Sequence, residues 1–228
     1  MINDNILYTS GISLIMEGDT EKYFYEEILN RICIDNEINL TKAFDDDELS
    51  NYYILSKNDK NILIKIKNAE TITQITNQFL WFKNFCADKY SHMPWDVFLC
   101  YDTDGNSFLT FTQLDWKTLR DNINQISNVN TIVDCCADRD VEDLFLIDME
   151  GIKRFLNINE DVKVEDLKGR KGKIKLKNLY MDYTINMRYH EGKRALPLIQ
   201  SLDLRKIIEH PDNNIDKLEK LIINKLDN

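Results

Sequence analysis

Acidic residues follow two apolar runs of this sequence, at points where a buried strand would end. The run 12–16 passes directly into Glu17-Gly18-Asp19-Thr20-Glu21. The run 97–100 passes into Tyr101-Asp102-Thr103-Asp104-Gly105. In open α/β sheets, sites are built at the carboxyl ends of the strands. The spacing therefore predicts that these carboxylates meet at one edge of a sheet and hold divalent metal.

The chemistry of such a site follows from its ligands. Carboxylate oxygens suit Mg²⁺, which binds few protein groups and retains several waters. Two Mg²⁺ or Mn²⁺ ions held side by side can activate a water and stabilise the leaving oxygen of a phosphoryl group. We therefore expect two ions and a reaction at phosphorus.

Each acid also has an ordinary structural interpretation. Glu21 could complement a helix dipole, Asp19 or Thr20 could cap the helix, and Asp104 opens a turn signal. Glu17 is harder to explain in this way, because an acid that ends a buried strand is costly unless it is paired or bound to metal. Taken together at two strand ends, the acids favour a site.

The periodicity of the apolar residues predicts the elements that position these acids. Strands are expected at 12–16, 52–55, 62–66, 96–101 and 130–137, and residues 35–51 are expected to be a polar loop or irregular insertion. Alternation of strands and helices over 12–137 favours a largely parallel sheet with helices on its faces. Helices are expected at 20–32, 69–90, 114–126, from about 140, and at 173–181, 192–202, 204–210 and 215–226.

The ordered pair of motifs resembles the Toprim domain. Strand–Glu-Gly-x-x-Glu–helix followed by strand–Asp-x-Asp is the signature of that domain, and here it is Glu17-Gly18-Asp19-Thr20-Glu21 with Asp102-Thr103-Asp104. Topoisomerases, bacterial primases, recombination mediators and nucleases of the overcoming-lysogenisation-defect type share it. The resemblance implies an α/β fold with a central, mostly parallel sheet flanked by helices. It implies a catalytic domain at 1–160 with an insertion at about 35–90, and a basic, helical region at 161–228 packed on it.

The Toprim nucleases have two further features, and both have candidates in this sequence. A second acidic motif opens the helix after the next strand, where this chain has Asp140-Val141-Glu142, with Asp143 and Asp148 as substitutes. By the resemblance, Glu17 is a metal ligand or general acid/base, Asp102 and Asp104 hold the same metal, and Glu21 with Asp140 and Glu142 serves the second. A lysine that contacts the scissile phosphate is best matched by Lys193, with Lys171 and Lys173 as rivals.

Charge is distributed unevenly along the chain. The net charge is −10, yet residues 163–194 carry ten Lys or Arg against four Asp or Glu, which gives +6 there and −16 elsewhere. Such a strip suits phosphate binding, although composition alone favours a solvated helix face. His190 lies within this strip and could contact phosphate, although a plain surface histidine is the more common case.

Cysteine usage and hydropathy indicate a cytoplasmic protein. The five cysteines form no C-x-x-C pair, which fits a reducing compartment, and the three histidines match no zinc spacing. No apolar run approaches the roughly 18 residues that span a bilayer, and residues 1–11 lack the pattern of a secretory signal.

Among the activities of the family, a nuclease fits this sequence best. The chain lacks the catalytic tyrosine domain of a topoisomerase and the zinc module of a primase. It contains no G-x-x-x-x-G-K-[ST] motif, so an ATPase would be a separate partner, as in bacterial anti-phage defence systems with a Toprim effector. Residues 192–208 resemble the helical tail of such small effectors.

The substrate and the assembly are left open by the sequence. Both DNA and RNA, including tRNA, present the same phosphates to such a site. Whether the protein forms a homodimer is also left open by the sequence. The alternative function is a Toprim-derived binding or regulatory module without catalysis. The nuclease is favoured because all five acidic positions of the motifs hold carboxylic acids, namely Glu17, Glu21, Asp102, Asp104 and Glu142.

Overall fold

Six strands form one sheet in the order β2-β3-β4-β1-β5-β6. The structure, a computed structural model, describes residues 7–70, 74–103 and 111–227, with the side chains of 111–114 excepted. No helix in these ranges has the length and apolar character needed to cross a bilayer. The strands are β1 Ser10–Met16, β2 Asn39–Asp45, β3 Ser50–Lys57, β4 Lys60–Asn68, β5 Trp95–Asp102 and β6 Val129–Ala137.

Helices cover both faces of the sheet. Short 3₁₀ turns lie at Leu146–Asp148, Val164–Asp166 and Gly192–Ala195, and α2 continues into a π-helical turn at Lys83–Asp88. The α-helices are α1 Asp19–Asp35, α2 Gln78–Phe82, α3 Phe111–Ile123, α4 Val141–Phe145, α5 Met149–Leu156, α6 Gly172–Tyr183, α7 Leu196–Ser201, α8 Leu204–Ile208 and α9 Ile215–Asp227. The expected α/β class with a mostly parallel sheet is confirmed.

The centre of the sheet is parallel and brings the carboxyl ends of four strands, β4, β1, β5 and β6, to one edge. β1 lies between β4 and β5, and Met16 is in register with both Asn68 and Cys100. β5 pairs in parallel with β6, and Asp102 is in register with Ala137. Every residue of β1 is buried, which explains its unbroken apolar pattern. The chain therefore leaves β1, β5 and β6 at the same edge.

Two stretches differ from the sequence expectations. Residues 35–51, expected to be a loop or irregular insertion, contain the edge strand β2, which forms an antiparallel pair with β3. The helix expected at 69–90 begins only at Gln78 among the described residues and changes to π-helical geometry at Lys83. The predicted insertion also supplies β4, which pairs directly with β1 at the centre of the sheet.

A buried ion-pair network explains why acidic residues occur in this stretch. Lys65 of β4 is fully buried, and its ammonium pairs with Asp45 at 2.8 Å and with Glu48. Lys89 also pairs with Asp45 at 3.0 Å, and the Trp81 Nε1–H donates to Glu48 at 2.6 Å. The network fastens the β2–β3 turn to the sheet and to the helical segment after α2.

The core lies in two layers, one on each face of the sheet. One layer contains Phe24 of α1 together with Leu176 of α6 and Leu218 of α9. The other contains Trp81, Trp95 and Trp116, with side chains from α2 and α3. The helices of the basic C-terminal region thus share a core with α1 and with the strands that deliver the acids.

Candidate functional site

The first acids of the site come from the junction of β1 and α1. Glu17 directly follows β1, and Gly18 stands before the first residue of α1 in an extended conformation. Glu21 lies in the first turn of α1 and is 8% exposed. A Cβ at position 18 would lie 3.1 Å from Glu21 Oε2. Glycine at this position therefore leaves room for the Glu21 carboxylate to turn back toward the end of the strand.

Asp102, the last residue of β5, supplies the next carboxylate. Its Oδ1 atom is buried and accepts no hydrogen bond from the residues that the structure describes. A buried carboxylate oxygen in this state is costly unless a cation or a donor compensates it. Asp104, the other acid predicted from this strand, lies outside the described residues.

The third pair of acids lies where β6 leads into α4. Asp140 precedes α4 and Glu142 lies in its first turn, and both are buried. The Tyr189 hydroxyl donates to Glu142 Oε1 at 2.6 Å. The backbone N–H of Lys173 lies 3.3 and 3.2 Å from the two carboxylate oxygens of Asp140. Asp140 thus binds the backbone at the start of α6, whereas Glu142 accepts a hydrogen bond from the side chain of Tyr189.

These acids open onto one cavity of about 870 Å³. Five predicted metal ligands line it, and so do Lys171 and Lys173 from the start of α6. Other acids add to the negative charge of its rim. The cavity is lined by Glu17, Gly18, Asp19, Thr20, Glu21, Glu70, Asp102, Asp140, Val141, Glu142, Lys171, Lys173, Ile174, Glu191 and Gly192.

Several other predicted residues lie elsewhere. Lys193 is exposed in the 3₁₀ turn beside the cavity and does not line it, and His190 is also exposed. Asp143 lines a different cavity, of about 450 Å³. Asp148 accepts a hydrogen bond from the Asp203 N–H at 2.7 Å and holds the turn before α8. The two substitutes for the Asp140-Val141-Glu142 motif therefore lie away from the acidic cavity.

Burial and mutual repulsion disfavour the charged forms of the acids at the first two strand ends. Burial raises the pKa of Glu21 to about 7, and repulsion from Glu142 and Glu17 adds to this effect. Burial raises the pKa of Asp102 to about 9, with repulsion from Glu21 and Glu17. Both shifts have the sign expected for clustered carboxylates without a compensating positive charge.

The acids at the start of α4 shift in the same direction. Burial raises the pKa of Asp140 to about 6, with repulsion from Asp143. Burial also raises the pKa of Glu142 to about 7, although the hydrogen bond from Tyr189 opposes the rise. A cation in the cavity would favour the ionised form of every one of these groups.

The donor set fits Mg²⁺ or Mn²⁺ in kind. It consists of carboxylate oxygens, includes the buried Oδ1 of Asp102, and excludes thiol and imidazole groups among the residues that line the cavity. In the described parts of the chain, no three acidic, His or Cys side chains stand close enough to form a ready metal-binding group. The carboxylates therefore line one cavity without forming a preassembled set of ligands.

The C-terminal region closes one side of the cavity. Gly172, at the start of α6, lies so close to α4 that a Cβ would overlap the backbone of Glu142 and Asp143. Gly192 has φ of +64° and donates its N–H to Thr20 Oγ1 at 2.8 Å. No local pattern in the sequence marks Thr20 or Tyr189 as a contact of the site. Gly172, which lies against α4, and Gly192, which contacts Thr20, are the signal in the sequence that the C-terminal region approaches the site closely.

A comparison of this chain with models of known protein families found no match, and neither did a search of curated proteins. The cavity and the motifs that deliver its acids are therefore the observations that bear on function.

Proposed function

We propose that this protein is a Mg²⁺-dependent nuclease of the Toprim type that hydrolyses phosphodiester bonds in nucleic acid. One observation carries the proposal. Carboxylates from the ends of β1 and β5 and from the start of α4, remote from one another in the chain, line a single cavity with lysines on one wall. The order strand–Glu-Gly-x-x-Glu–helix, then strand–Asp-x-Asp, then Asp-x-Glu supports Toprim in preference to other α/β folds.

In this proposal Glu17 and Asp102, with Asp104, hold one ion, and Glu21 and Glu142 hold the other. Bound metal supplies a lowered pKa for the attacking water and charge stabilisation at the leaving oxygen. Glu17 also acts as the general acid/base, since it directly follows the central strand and lines the cavity. Asp140 contributes its negative charge but uses its oxygens to fix the start of α6.

A lysine in the cavity wall would contact the scissile phosphate. Lys171 and Lys173 line the cavity and fit this role better than Lys193, whose side chain is exposed outside it. The Lys173 ammonium pairs with Glu191, a charge that a phosphate would replace. A cation at this position stabilises the charge that develops on the phosphoryl group during displacement.

Cleavage assays on plasmid DNA, single-stranded DNA and tRNA, with Mg²⁺ or Mn²⁺, test the proposal. Glu17→Gln is expected to lower the cleavage rate by about 100-fold or more, because it removes a ligand and a general acid/base. The matched control is Glu160→Gln, an exposed acid in the loop after α5, which should cleave like the wild type.

The same assays distinguish the alternative function. Cleavage that Glu17→Gln leaves undiminished would contradict the nuclease. Absence of cleavage, together with a melting temperature that neither metal raises, would favour a Toprim-derived regulatory module. Metal bound only to the folded state should raise that temperature when the acids are intact.

The proposal extends to the setting of the nuclease. The chain contains no P-loop motif, and its residues 192–208 resemble the tail of small Toprim effectors of anti-phage defence. We therefore assign it the effector role in a system whose ATPase is a separate polypeptide. Co-purification with an ATPase encoded beside it would test this assignment.

A further inference from the structure

Exposed apolar side chains are concentrated on α6 and in the segment that directly follows it. Among the described residues, ten large hydrophobic side chains are exposed, and five of them lie within residues 174–187. Ile185 is 89% exposed and Met181 is 60% exposed. We call this set the apolar patch, and it consists of Ile174, Met181, Tyr183, Ile185 and Met187. Such clustering distinguishes it from the scattered surface hydrophobics that need no explanation.

The apolar patch begins in the acidic cavity. Ile174 lines the cavity and lies on α6 seven residues before Met181. Seven residues are about two helical turns, so both side chains lie on one face and are about 10 Å apart along the axis. The Thr184 Oγ1–H donates to Tyr180 O at 2.7 Å, and Thr184 Oγ1 also lies 3.1 Å from Met187 O. Through these contacts residues 184–187 fold back against the end of α6. The patch therefore leads outward from the candidate site.

Cations lie on α6 and beside it, in the same stretch of chain as the apolar patch. Lys168 and Lys177 have exposed or half-exposed ammonium groups, and Lys177 is 3.5 Å from Glu191. Lys175 and Arg188 form no ion pair with any residue that the structure describes. Asp182 offsets one charge, at 4.0 Å from Lys168. A ligand that complements this surface must combine apolar, flat groups with negative charge.

We propose that the apolar patch binds the unpaired bases of a single-stranded segment of the substrate, next to the scissile phosphate. The inference rests on the proposed nuclease function and names the substrate class for it. Proteins bind single strands by stacking bases on aromatic and apolar side chains while cations follow the phosphates. In a duplex the base faces are stacked on one another, so the patch selects unpaired nucleotides.

A protein partner would also cover apolar side chains, and two features favour nucleic acid over it. The patch is continuous with the cavity where the phosphate is cleaved, and it lies in the one stretch, residues 163–194, that carries +6 in a chain of net charge −10. This stretch starts at the cavity and carries both apolar groups and cations, which suits a strand that carries both bases and phosphates.

The test compares two triple variants, each placed in a Glu17→Gln background to prevent cleavage. One triple variant, Met181→Ser with Tyr183→Ser and Ile185→Ser, removes three of the five side chains of the apolar patch. The control triple variant, Ile34→Ser with Leu49→Ser and Leu80→Ser, removes three exposed hydrophobic side chains outside the apolar patch. All six positions are exposed, and melting temperatures verify that both variants fold. Fluorescence anisotropy then measures binding of a labelled single-stranded oligonucleotide, and of the same strand annealed to its complement, at one ionic strength.

The single strand is expected to bind more tightly than the duplex. The patch variant should lose about ten-fold or more in affinity for the single strand, the loss expected for one or more stacked bases, while the control retains it. Equal affinity of both variants would overturn the inference. So would a patch variant that binds the oligonucleotide normally but sediments as a smaller species, since that result assigns the patch to a protein interface.

Failure of the nuclease proposal would be visible in a different measurement. Cleavage by the unmodified protein that Glu17→Gln does not reduce removes the nuclease assignment for the cavity. The anisotropy comparison, made without cleavage, reports on the apolar patch alone.

Discussion

Glu142 differs from the other carboxylates of the cavity because a tyrosine from the C-terminal region holds it. The Tyr189 hydroxyl lies 2.6 Å from Glu142 Oε1, and both residues are buried. Burial and the neighbouring carboxylate raise the pKa of Tyr189 far above its ordinary value, so the hydroxyl keeps its proton and remains a donor. Tyr189 therefore fixes one oxygen of Glu142 and leaves the other available to a metal. In the proposed metal site, Tyr189 is a positioning residue.

Tyr189→Phe is expected to weaken metal binding without unfolding the protein. Partners that orient a ligand are typically worth 10- to 100-fold in metal affinity, so we expect a loss of about ten-fold. The dependence of melting temperature on Mn²⁺ concentration measures it. The control is Tyr180→Phe, because Tyr180 is buried and packs edge-on against Tyr189 with ring centroids 5.9 Å apart. Equal losses in both variants would reduce Tyr189 to a packing role.

The sequence predicted the acids better than it predicted their partners. Glu17 and Asp102 were found because local patterns mark the ends of apolar strands, and the structure brings both to one cavity. Tyr189 lies 47 residues from Glu142, and Gly192 lies 172 residues from Thr20. No local pattern reports contacts over such separations. For the same reason, the sequence does not show that Lys171 and Lys173 line the cavity whereas Lys193 does not.

At the level of elements, the β2–β3 turn depends on a buried charge network. Asp45 is fully buried between Lys65 and Lys89, and hydrogen bonds from these ammonium groups lower its pKa to about 2 even though burial opposes this shift. A carboxylate whose pKa is lower in the folded than in the unfolded state stabilises the fold above its unfolded pKa. That contribution is lost as the pH falls from about 4 through about 2.

Asp45→Asn should therefore destabilise the protein by about 3 kcal/mol near neutral pH, because it leaves buried positive charge partly uncompensated. The difference from wild type should shrink by about 2 kcal/mol as the pH falls toward 2, since the wild type then loses the same charge. Urea unfolding at a series of pH values measures both effects. Asp46→Asn, an exposed neighbour, is the control, and a difference that does not vary with pH would contradict the assignment.

This network also explains why the prediction of a loop or irregular insertion at residues 35–51 is wrong. A run of four acids, at 45–48, has the composition of a solvated loop, yet Asp45 is fully buried and the Glu48 side chain is only 2% exposed. Their counterion, Lys65, is fully buried in β4, where a lysine is not expected unless it is paired. The strand β2 was therefore missed because its end is stabilised by charges from distant segments, and such compensation is invisible to hydropathy.

For the whole molecule, the question is whether residues 161–228 form a separate unit. Leu218 and Ile222 of α9 are fully buried in the same core layer as Phe24 of α1. The Arg205 guanidinium pairs with Glu219 at 2.6 Å and with Asp35, at the end of α1, at 3.4 Å. Apolar and polar contacts thus join the two predicted regions on one face of the sheet. We infer that they unfold together.

Leu218→Ala tests this inference, because the three tryptophans report from the opposite face of the sheet. Truncation of a buried leucine should cost about 3 kcal/mol. If the chain unfolds as one unit, tryptophan fluorescence and far-UV circular dichroism should give the same lowered urea midpoint. Lys217→Ala, exposed on the same helix, should leave the midpoint unchanged. A fluorescence midpoint that stays at the wild-type value while the dichroism midpoint falls would show that the C-terminal region unfolds independently.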